Sequence, residues 1–456
     1  MKFRTTLILI VVFAGLLAFV LFFESKSQAK KEGEDKLVDL PSADVEKITL
    51  KKEDGTITFK KDAKGEWLIT DPLEAKADST EVSRLAEDFS SLKFDRVVEK
   101  EGGDMAKYEI PKKELTLWYK NKPQPLKILL GMENPLDNAL FAKREDDKRI
   151  VLLPSFLKSL LEKKIYDFRQ KDIFRFEPAD VNIIKLKAKD IAWEAQKKED
   201  NWLFLKPPNA LAKKSQIEDV LRALADLKAK EFVSEQKQEE ENKKYGLKEP
   251  EYVISLHLPA KNQDIVFLLH KEGDNVYATT SLSIKIIAVE GQVLANLEKK
   301  AEDLRDKQVL AFNSWEAQKL QLKAGDLGLT VVKDKDDKWF FDSAAREEAD
   351  KSKIETFLRK IETLEAGEFI DSPATLQDYG LVPPYAEVTV WTKEQEKESQ
   401  NQILVGLENK EKKQVVVKNP KLGYLFLMDS SFLAEFPKES KDWTMAQPEK
   451  KKEDKR

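Results

Sequence analysis

Two short segments carry a residue spacing that could support nucleophilic catalysis. The segments 90–93 (Ser-Ser-Leu-Lys) and 155–158 (Ser-Phe-Leu-Lys) both place a lysine three residues after a serine. Penicillin-binding enzymes use this spacing on a helix to bring an amine beside a nucleophilic hydroxyl. Their companion Ser-Asp-Asn and Lys-Thr-Gly segments are absent from the sequence, and Ser155 follows Pro154 at a position typical of a helix N-cap. We interpret both segments as chance matches, so the sequence predicts no enzyme and no catalytic residue.

Metal coordination is the second chemistry that the residue types could support. The two histidines, His257 and His270, fall in neighbouring strand patterns and could form a ligand pair, but we interpret them as separate residues. The acidic run 334–338 (Asp-Lys-Asp-Asp-Lys) lacks the sixth-position glycine and twelfth-position glutamate of a calcium loop, so it is predicted to be a hairpin turn. The absence of cysteine excludes thiolate catalysis and cysteine zinc sites. We predict no metal site and no cofactor.

The charge balance narrows the classes of partner. Lysine and arginine number 79 and aspartate and glutamate 83, which leaves a net charge of −4 although 36% of residues are charged. Such a balance gives no general attraction to nucleic acids or to acidic surfaces. The sequence also lacks a phosphate-binding loop and a dinucleotide fingerprint. We predict no nucleic-acid partner and identify no small-molecule substrate.

The N-terminal segment Thr5–Phe23 contains no charged residue. As a helix it would extend roughly 28 Å, close to the ~30 Å hydrocarbon core of a bilayer. The alternative is a cleaved signal peptide, for which residues 27–29 (Ser-Gln-Ala) form a poor and late cleavage site. We predict a single-pass anchor in the inner (cell) membrane, a cytoplasmic N-terminus, and an extracytoplasmic (periplasmic) location for the rest of the chain.

Three tryptophans mark an internal repeat. Trp67, Trp202 and Trp339 each end a series of strand patterns, and each precedes an apolar stripe with helical spacing. The stripes are Val82, Leu85, Ala86, Phe89 and Leu92; Ile217, Val220, Leu221, Leu224 and Leu227; and Ile354, Phe357, Leu358, Ile361 and Leu364. Further strand patterns follow, and a short helix around 155–161, 291–297 and 430–436 closes each repeat. We interpret the tryptophans as packing residues; a carbohydrate or lipid groove is the alternative.

The sequence predicts where each long helix begins. It also predicts that the tyrosine turn that follows ends a helix. Ser215 and Ser352 each precede a glutamate by three residues, the spacing of a capping box. Tyr-Gly-Leu then occurs twice, and we predict that Gly246 and Gly380 end a helix with positive φ, as in a Schellman motif. The first repeat has Glu109 in place of the glycine. A role of the tyrosines as a ligand platform is the functional alternative.

These patterns predict an α+β fold in which an N-terminal transmembrane helix precedes three tandem α+β repeats. Each repeat is expected to be a mostly antiparallel sheet with one long amphipathic helix and one short helix. The predicted boundaries are a cytoplasmic tail at 1–4, the anchor at 5–23, a linker at 24–37, repeats at 38–173, 174–309 and 310–446, and a disordered charged tail at 447–456.

The tryptophan and tyrosine motifs together resemble the family called domain of unknown function 4340. Its members share an N-terminal anchor, a Trp-x-x-x-x-Pro strand end, an amphipathic helix and Tyr-Gly-Leu-x-x-Pro. The matching residues here are Trp67 with Pro72, Trp202 with Pro207, Tyr245–Leu247 with Pro250, and Tyr379–Leu381 with Pro384, while Ala344 replaces the proline after Trp339. The resemblance implies an accessory role beside ABC transporters of the gliding-motility type, and it supplies no catalytic residue.

The leading hypothesis is a non-enzymatic, membrane-anchored extracytoplasmic scaffold or adaptor with a protein partner in an ABC-type transporter or envelope complex. The first alternative is a binding module for a glycan, lipid or peptide. The second is an envelope hydrolase that uses carboxylates. A pocket in one repeat, lined by residues that the other repeats lack, would favour ligand binding.

Overall fold

The computed structural model of the chain describes residues 35–206, 210–394 and 397–445. The predicted cytoplasmic tail 1–4, anchor 5–23 and C-terminal tail 447–456 lie outside these residues. Among the residues described, no helix is both long and apolar enough to cross a bilayer. The chain forms two compact units that divide between Lys171 and Asp172. The first unit contains one sheet and the second contains two.

The first unit is a nine-stranded antiparallel sheet crossed by one long helix. Its strands are β1 (Val45–Lys52), β2 (Gly55–Lys61), β3 (Trp67–Asp71), β4 (Ala75–Lys76), β5 (Arg96–Glu99), β6 (Lys113–Tyr119), β7 (Leu126–Glu133), β8 (Leu140–Arg144) and β9 (Ile150–Leu153). Their order is β4-β3-β2-β1-β6-β7-β8-β9-β5. Its helices are α1 (Ser79–Ser90) and α2 (Phe156–Glu162), with 3-10 helices at Ser42–Asp44, Met105–Tyr108 and Ile165–Phe168. Because α1 leaves edge strand β4 and leads into β5 at the opposite edge, it crosses one face of the sheet.

The second unit repeats this plan twice. Its first sheet contains β10 (Ile183–Ala188), β11 (Ile191–Lys198), β12 (Asn201–Lys206), β13 (Ala210–Ala212), β14 (Glu231–Ser234), β15 (Tyr252–Leu258), β16 (Gln263–Glu272), β17 (Asn275–Thr280) and β18 (Ile286–Val289). Its second sheet contains β19 (Ala317–Ala324), β20 (Leu327–Lys333), β21 (Trp339–Phe341), β22 (Glu368–Ile370), β23 (Ala386–Glu394), β24 (Lys397–Val405), β25 (Gln414–Lys418) and β26 (Leu425–Asp429). The orders are β13-β12-β11-β10-β15-β16-β17-β18-β14 and β21-β20-β19-β23-β24-β25-β26-β22, so the third sheet lacks the edge strand that β4 and β13 supply.

The helices of the second unit follow the same plan. They are α3 (Lys214–Ala225), α4 (Glu239–Lys244), α5 (Leu294–Leu297), α6 (Ala301–Leu304) and α7 (Lys351–Glu362). The 3-10 helices are Pro178–Asp180, Pro259–Lys261, Gly291–Val293, Ser314–Glu316, Gln377–Tyr379, Ser430–Glu435 and Ser440–Trp443. The helices α1, α3 and α7 correspond, because each connects the two halves of its sheet. Below, repeats 1, 2 and 3 are the parts of the chain that contain these three helices.

The core of each repeat contains the apolar side chains of its long helix and one of the three repeated tryptophans. Phe89 of α1 and Leu224 of α3 are fully buried, and Phe357 of α7 is 3% exposed. Trp67 and Trp339 are buried as well, which confirms the interpretation of the repeated tryptophans as packing residues. Burial of such large side chains contributes roughly 1.5–3 kcal/mol each. The hydrophobic spacing in the sequence therefore identified the core-facing side of each helix.

The predicted fold class is wrong. Strands make up 41% of the structure and helices 23%, and the three sheets are mostly antiparallel, so the described part of the protein is β-dominated rather than α+β, and none of the helices described there is a membrane span. The longest helices described have twelve residues. At 1.5 Å per residue such a helix extends ~18 Å, well short of the ~30 Å of a bilayer core. Each is amphipathic because it covers one face of a sheet.

The predicted capping boxes are also wrong. The long helices begin one residue before Ser215 and Ser352, and the N-caps are Asp78, Lys213 and Asp350. Asp78 and Asp350 each accept two backbone N–H groups of the first turn. In repeat 3 the carboxylate of Asp350 therefore takes the role that the sequence pattern assigned to the Ser352 hydroxyl, whereas in repeat 2 the N-cap Lys213 makes no side-chain capping bond.

Each N-cap also ties the start of its helix to the end of the repeat. The backbone N–H groups of Asp78, Lys213 and Asp350 donate to the carbonyl oxygens of Phe168, Leu304 and Trp443, respectively, at 2.7–2.8 Å. The acceptors lie in the short helices Ile165–Phe168, Ala301–Leu304 and Ser440–Trp443. We call these three helices the exit segments of repeats 1, 2 and 3. The chain therefore closes each repeat on its own helix before it continues.

The tyrosine turns have the predicted backbone. Gly246 and Gly380 have φ of 68° and 64°, and Glu109 adopts the same region with φ of 54°. In all three, the next residue donates its N–H to the carbonyl five residues earlier: Ile110 to Met105, Leu247 to Asn242, and Leu381 to Leu376. These are the long-range bonds of a Schellman motif. The turn thus ends a short helix that follows the long helix, whatever residue occupies the left-handed position.

Candidate functional site

In each Ser-x-x-Lys segment, the serine or the lysine has another partner. Ser90 Oγ lies 2.9 Å from Tyr119 Oη in the core. Lys158 Nζ donates to Glu133 Oε2 at 2.8 Å, and this hydrogen bond raises the pKa of Lys158. An amine with a raised pKa stays protonated at neutral pH and is a poor base for Ser155. The geometry supports our interpretation of both segments as chance matches.

The histidines lie at opposite ends of the β15–β16 hairpin. His257 is paired with Asp264 near the turn, with Nδ1 2.7 Å from Asp264 Oδ1. His270 follows Leu269, which pairs with Tyr252 at the far end. The two side chains therefore cannot share a metal ion. Within the described ranges, no three histidine or acidic side chains are grouped as metal ligands would be.

The acidic run at 334–338 forms the hairpin turn that its sequence predicts. Asp334 Oδ1 accepts the backbone N–H of Lys338 at 2.9 Å. Hydrogen bonds from Lys333, and then from Lys351, lower the pKa of Asp337 to about 2. These carboxylates hold the β20–β21 turn in place and are engaged by neighbouring groups rather than arranged around a cation.

A groove in repeat 3 is the strongest candidate for a functional site. It runs between α7 and the segment 431–443, and we call it the C-terminal groove. It consists of two adjoining clefts of about 260 Å³ and about 490 Å³, which share Phe357, Glu435 and Phe436. The smaller cleft is lined by Phe357, Lys360, Ile361, Leu364, Ser431, Phe432, Glu435 and Phe436. The larger is lined by Ser352, Lys353, Thr356, Phe357, Ala434, Glu435, Phe436, Pro437, Lys438, Asp442 and Trp443.

The smaller cleft is the apolar end of the groove. In repeat 1 the corresponding short helix, α2, buries Leu157 and Leu161 in the same core as α1. In repeat 2, α5 packs near α3 and buries Leu297 completely. In repeat 3 this segment is a 3-10 helix, and Phe432 and Phe436 are only partly buried. At the positions of Leu157 and Leu161, repeat 3 thus has partly exposed aromatic side chains.

The larger cleft is the polar end, and a comparison of the repeats defines its charge. In repeats 1 and 2, the third residue of the long helix binds a lysine that lies two residues before the last short helix of the repeat. In repeat 1, Lys163 Nζ bonds Glu81 Oε2, and in repeat 2, Lys299 Nζ donates to Gln216 Oε1 at 2.9 Å. The lysine lies four residues before an aspartate that caps the last short helix, namely Asp167, Asp303 or Asp442. By the same register, the pair in repeat 3 is Lys353 and Lys438.

Two lysines therefore line the polar end together with the carboxylates of Glu435 and Asp442. Lys353 Nζ donates to the backbone carbonyl of Asp442 at 2.7 Å. The carboxylate of Asp442 accepts the backbone N–H groups of Lys438 and Glu439, which lower its pKa. Glu435 is 3.5 Å from Lys360 across the groove. Among the described residues, neither Lys353 nor Lys438 forms an ion pair.

Sequence analysis did not identify these groove residues. Phe432 and Phe436 fell within a short helix expected near 430–436, and Lys353 and Lys438 are far apart in sequence. Alignment of Asp442 with Asp167 and Asp303 would have revealed the lysine pair, because the capping aspartate fixes the register of the exit region.

The fold defines a class of protein: a tandem array of β-dominated repeats, each an antiparallel sheet crossed by one amphipathic helix. The chain belongs to the family described as a domain of unknown function, DUF4340, which matches residues 67–250, 202–384 and 339–450. Successive matches overlap, and the first two run from the tryptophan of one repeat to the tyrosine turn of the next. No curated protein matches the chain.

Two solved structures share weak similarity with the chain. One is a DNA polymerase sliding clamp from Pseudomonas aeruginosa with ligand, at 8% identity and a TM-score of 0.16, covering 86% of this chain and 93% of that one. The other is the DNA polymerase III subunit beta of the same organism, at 7% identity and a TM-score of 0.15, covering 86% and 92%. TM-scores this low establish neither a common fold nor a common function.

Proposed function

We propose that the protein is a non-enzymatic extracytoplasmic scaffold that holds a partner protein, as an accessory component of an ABC-type transporter or envelope complex. The observation that carries this proposal is the construction of the second unit. Buried residues from Phe176 in repeat 2 to Trp443 in repeat 3 form one continuous hydrophobic cluster. Two repeats that share a core move as one body, which suits a protein that fixes distances between partners.

The junction within this unit is ordered by a buried charge. Arg305 is 2% exposed, and its Nη1 donates to Asp371 Oδ1 at 2.7 Å. Its guanidinium carbon lies 3.7 Å from the ring centroid of Phe369 and 4.7 Å from that of Tyr424. A stacked and paired guanidinium is held in one orientation. The contact between repeats 2 and 3 is therefore specific rather than a flexible linker.

The segment that joins the two repeats is itself bonded to both. Within this segment, Arg305 forms a β-bridge with Ala212 of repeat 2. Gln308 forms a second β-bridge, with Glu365 of repeat 3. Val309 then accepts a hydrogen bond from the side chain of Asn419 at 3.0 Å. Because this connecting segment is bonded to both repeats, we expect repeats 2 and 3 to form a rigid array.

The C-terminal groove supplies a place where a partner could dock. Its apolar end favours binding over purely mechanical spacing, so a binding module for a glycan, lipid or peptide is the second candidate function. The two candidates differ in what the groove contacts in cells: a defined protein under the scaffold proposal, and lipid or cell-wall material under the alternative.

Site-specific photo-crosslinking in cells tests the scaffold proposal. A photoreactive amino acid at Ser431 lies in the groove, whereas one at Lys323 lies on the sheet face opposite α7, since Leu322 beside it faces the core. We expect a protein adduct from position 431 and none from 323, with a transporter or envelope component as the crosslinked protein. Adducts confined to lipid or cell-wall material would overturn the scaffold proposal in favour of the binding module.

A further inference from the structure

We infer that acid releases the exit segment of repeat 3 from α7 while the rest of the repeat stays folded. At neutral pH the charged carboxylates of Asp350 and Asp442 hold the two segments together. Once both carboxylates are protonated, this exit segment loosens, and the exit segments of repeats 1 and 2 respond less. Because Asp442 and Trp443 line the larger cleft of the C-terminal groove, the groove opens on this side.

Asp350 orders the helix side of the contact. Its Oδ1 accepts the backbone N–H groups of Ser352 and Lys353 at 3.0 and 3.3 Å, and the Ser352 hydroxyl at 2.7 Å. The backbone N–H of Asp350 itself donates to the carbonyl of Trp443 at 2.7 Å. The residue that caps α7 is therefore also the residue that binds the exit segment, so a change at the cap reaches both.

Asp442 orders the other side of the contact. Its Oδ2 accepts the backbone N–H groups of Lys438 and Glu439, which lead into the exit segment, at 2.8 and 3.2 Å. Lys353 connects the two carboxylates, because its backbone N–H binds Asp350 and its Nζ donates to the backbone carbonyl of Asp442. The two caps and the lysine thus form one connected set of hydrogen bonds.

The same contact is built with fewer carboxylate bonds in the other repeats. In repeat 1, Asp78 accepts two backbone N–H groups and Asp167 accepts one. In repeat 2 the N-cap is Lys213, whose side chain makes no capping bond, and Asp303 accepts one N–H. Repeat 3 adds a hydroxyl at its N-cap and a second N–H at its exit segment. Its closing contact therefore depends most on ionised carboxylates.

Protonation removes the charge on which these caps depend. The hydrogen bond from the Ser352 hydroxyl, followed by the backbone N–H groups of Lys353 and Ser352, lowers the pKa of Asp350. The backbone N–H of Lys438, followed by that of the next residue, lowers the pKa of Asp442. A carboxyl whose pKa is lower in the folded state stabilises the fold above its unfolded pKa and loses this contribution as pH falls through the folded pKa. We therefore expect the exit segment to loosen below about pH 4.

Other charged groups keep the start of α7 in place. Lys353 and Lys441 act on the caps through their charge, and both favour the ionised carboxylates. Further charged side chains of the packed elements form the pairs Lys351–Asp337, Lys351–Glu355, Lys338–Glu348, Lys441–Glu439 and Lys360–Glu435. Hydrogen bonds from Lys333, and then from Lys351, lower the pKa of Asp337 to about 2. Because Asp337 stays ionised to lower pH, the first residue of α7 should remain attached to the β20–β21 turn.

Hydrogen exchange of the full-length protein, measured by mass spectrometry from pH 6 to pH 2.5 and corrected for the intrinsic exchange rate at each pH, tests this inference. Protection of residues 438–444 should fall by about tenfold or more over this range. The equivalent stretches 163–169 and 299–305 are internal controls, and we expect each to lose less than about threefold.

The D350N/D442N variant separates charge from capping. Asparagine keeps a capping oxygen but is not protonated in this range, so residues 438–444 should stay protected at pH 2.5. D303N makes the same exchange in the exit segment of repeat 2 and should leave the acid response of 438–444 unchanged. K353Q removes an ammonium group that favours both ionised carboxylates, so the loss of protection should move to higher pH.

Three results would overturn the inference. These are equal acid responses of the three stretches, an acid response in D350N/D442N as large as in the unchanged protein, and a K353Q profile that loses protection at the same pH as the unchanged protein. The comparison among the three stretches needs no substitution, so it remains decisive if a variant fails to fold.

Discussion

Arg305 and Asp371 form an ion pair of unequal burial: the arginine is 2% exposed, whereas the side chain of the aspartate is 56% exposed. The 2.7 Å contact spans the junction between repeats 2 and 3. Because the buried guanidinium also stacks on Phe369 and Tyr424, most of its stabilising contacts lie on the repeat 3 side. Arg305 of repeat 2 is thus one of the specific contacts that order the junction, beside the shared hydrophobic cluster.

We expect R305A to weaken this junction by about 1–3 kcal/mol, because it removes a buried side chain that stacks on Phe369 and Tyr424, while the exposed carboxylate of Asp371 stays hydrated. Urea unfolding followed by tryptophan fluorescence should then resolve separate transitions for repeats 2 and 3. Arg359, which is exposed on α7, provides the control, since R359A should change stability by less than about 0.5 kcal/mol. Equal effects of the two variants would contradict the junction role.

The tyrosine turn packs so closely on its sheet that a side chain at Gly406 would clash. A Cβ at this position would lie 2.2 Å from the carbonyl oxygen of Tyr379. We expect G406A to destabilise repeat 3 by about 1–3 kcal/mol, the usual cost of overpacking. A Cβ at Gly423 meets no atom within 4 Å, so G423A is the matched control. Hydrogen exchange of the repeat 3 amides measures the stability of repeat 3 in each variant. Similar protection in the two variants would refute this packing argument.

Glu109 adopts a left-handed conformation that glycine supplies in the other two repeats. We expect E109G to stabilise repeat 1 by about 0.5–1 kcal/mol, because glycine adopts positive φ without steric cost. E101G is the control: Glu101 is exposed and does not have positive φ, so there glycine only adds freedom to the unfolded chain. Thermal unfolding should show opposite signs for the two substitutions; the same sign in both would exclude strain at Glu109.

Asp350 makes the start of α7 sensitive to acid. The hydrogen bond from the Ser352 hydroxyl, followed by the backbone N–H groups of Lys353 and Ser352, lowers its pKa below the ordinary value of 3.8. A carboxyl whose pKa is lower in the folded state stabilises the fold above its unfolded pKa, and this stabilisation disappears as pH falls through the folded pKa. The stability of α7 should therefore decline below about pH 4.

Two substitutions at this position distinguish capping from charge. D350A should cost about 1 kcal/mol at neutral pH by removing the cap. D350N keeps a capping oxygen but cannot titrate, so it should retain most of the stability while flattening its decline below pH 4. Unfolding monitored between pH 7 and pH 2 measures both effects. An unchanged acid response in D350N would contradict the assignment to Asp350.

Local periodic patterns predicted the repeated parts of the fold well. Apolar spacing located the buried faces of α1, α3 and α7, and the glycine of the tyrosine turn predicted the positive φ at Gly246 and Gly380. These features depend on residues that are near one another in sequence. The fold class was wrong because the many short strands of each sheet outweigh its one long helix.

The candidate site was beyond the reach of local patterns. Lys353 and Lys438 come together only because the exit segment folds back onto the start of α7. Ser352 was misassigned for a related reason, since the capping motif did not weigh the carboxylate of Asp350 against the hydroxyl. Competition between nearby capping groups and contacts between distant segments are decided by the tertiary structure.

The hydrogen bonds from Asp78, Lys213 and Asp350 to the three exit segments have an evolutionary consequence. In each repeat, the start of the long helix is hydrogen-bonded to residues at the C-terminal end of the same repeat. A gene duplication that spans one repeat therefore also copies the residues that form this contact. Such arrays can gain or lose members by recombination without redesigning the survivors. Each member can also diverge separately at its closing segment, and in repeat 3 that segment borders the open C-terminal groove.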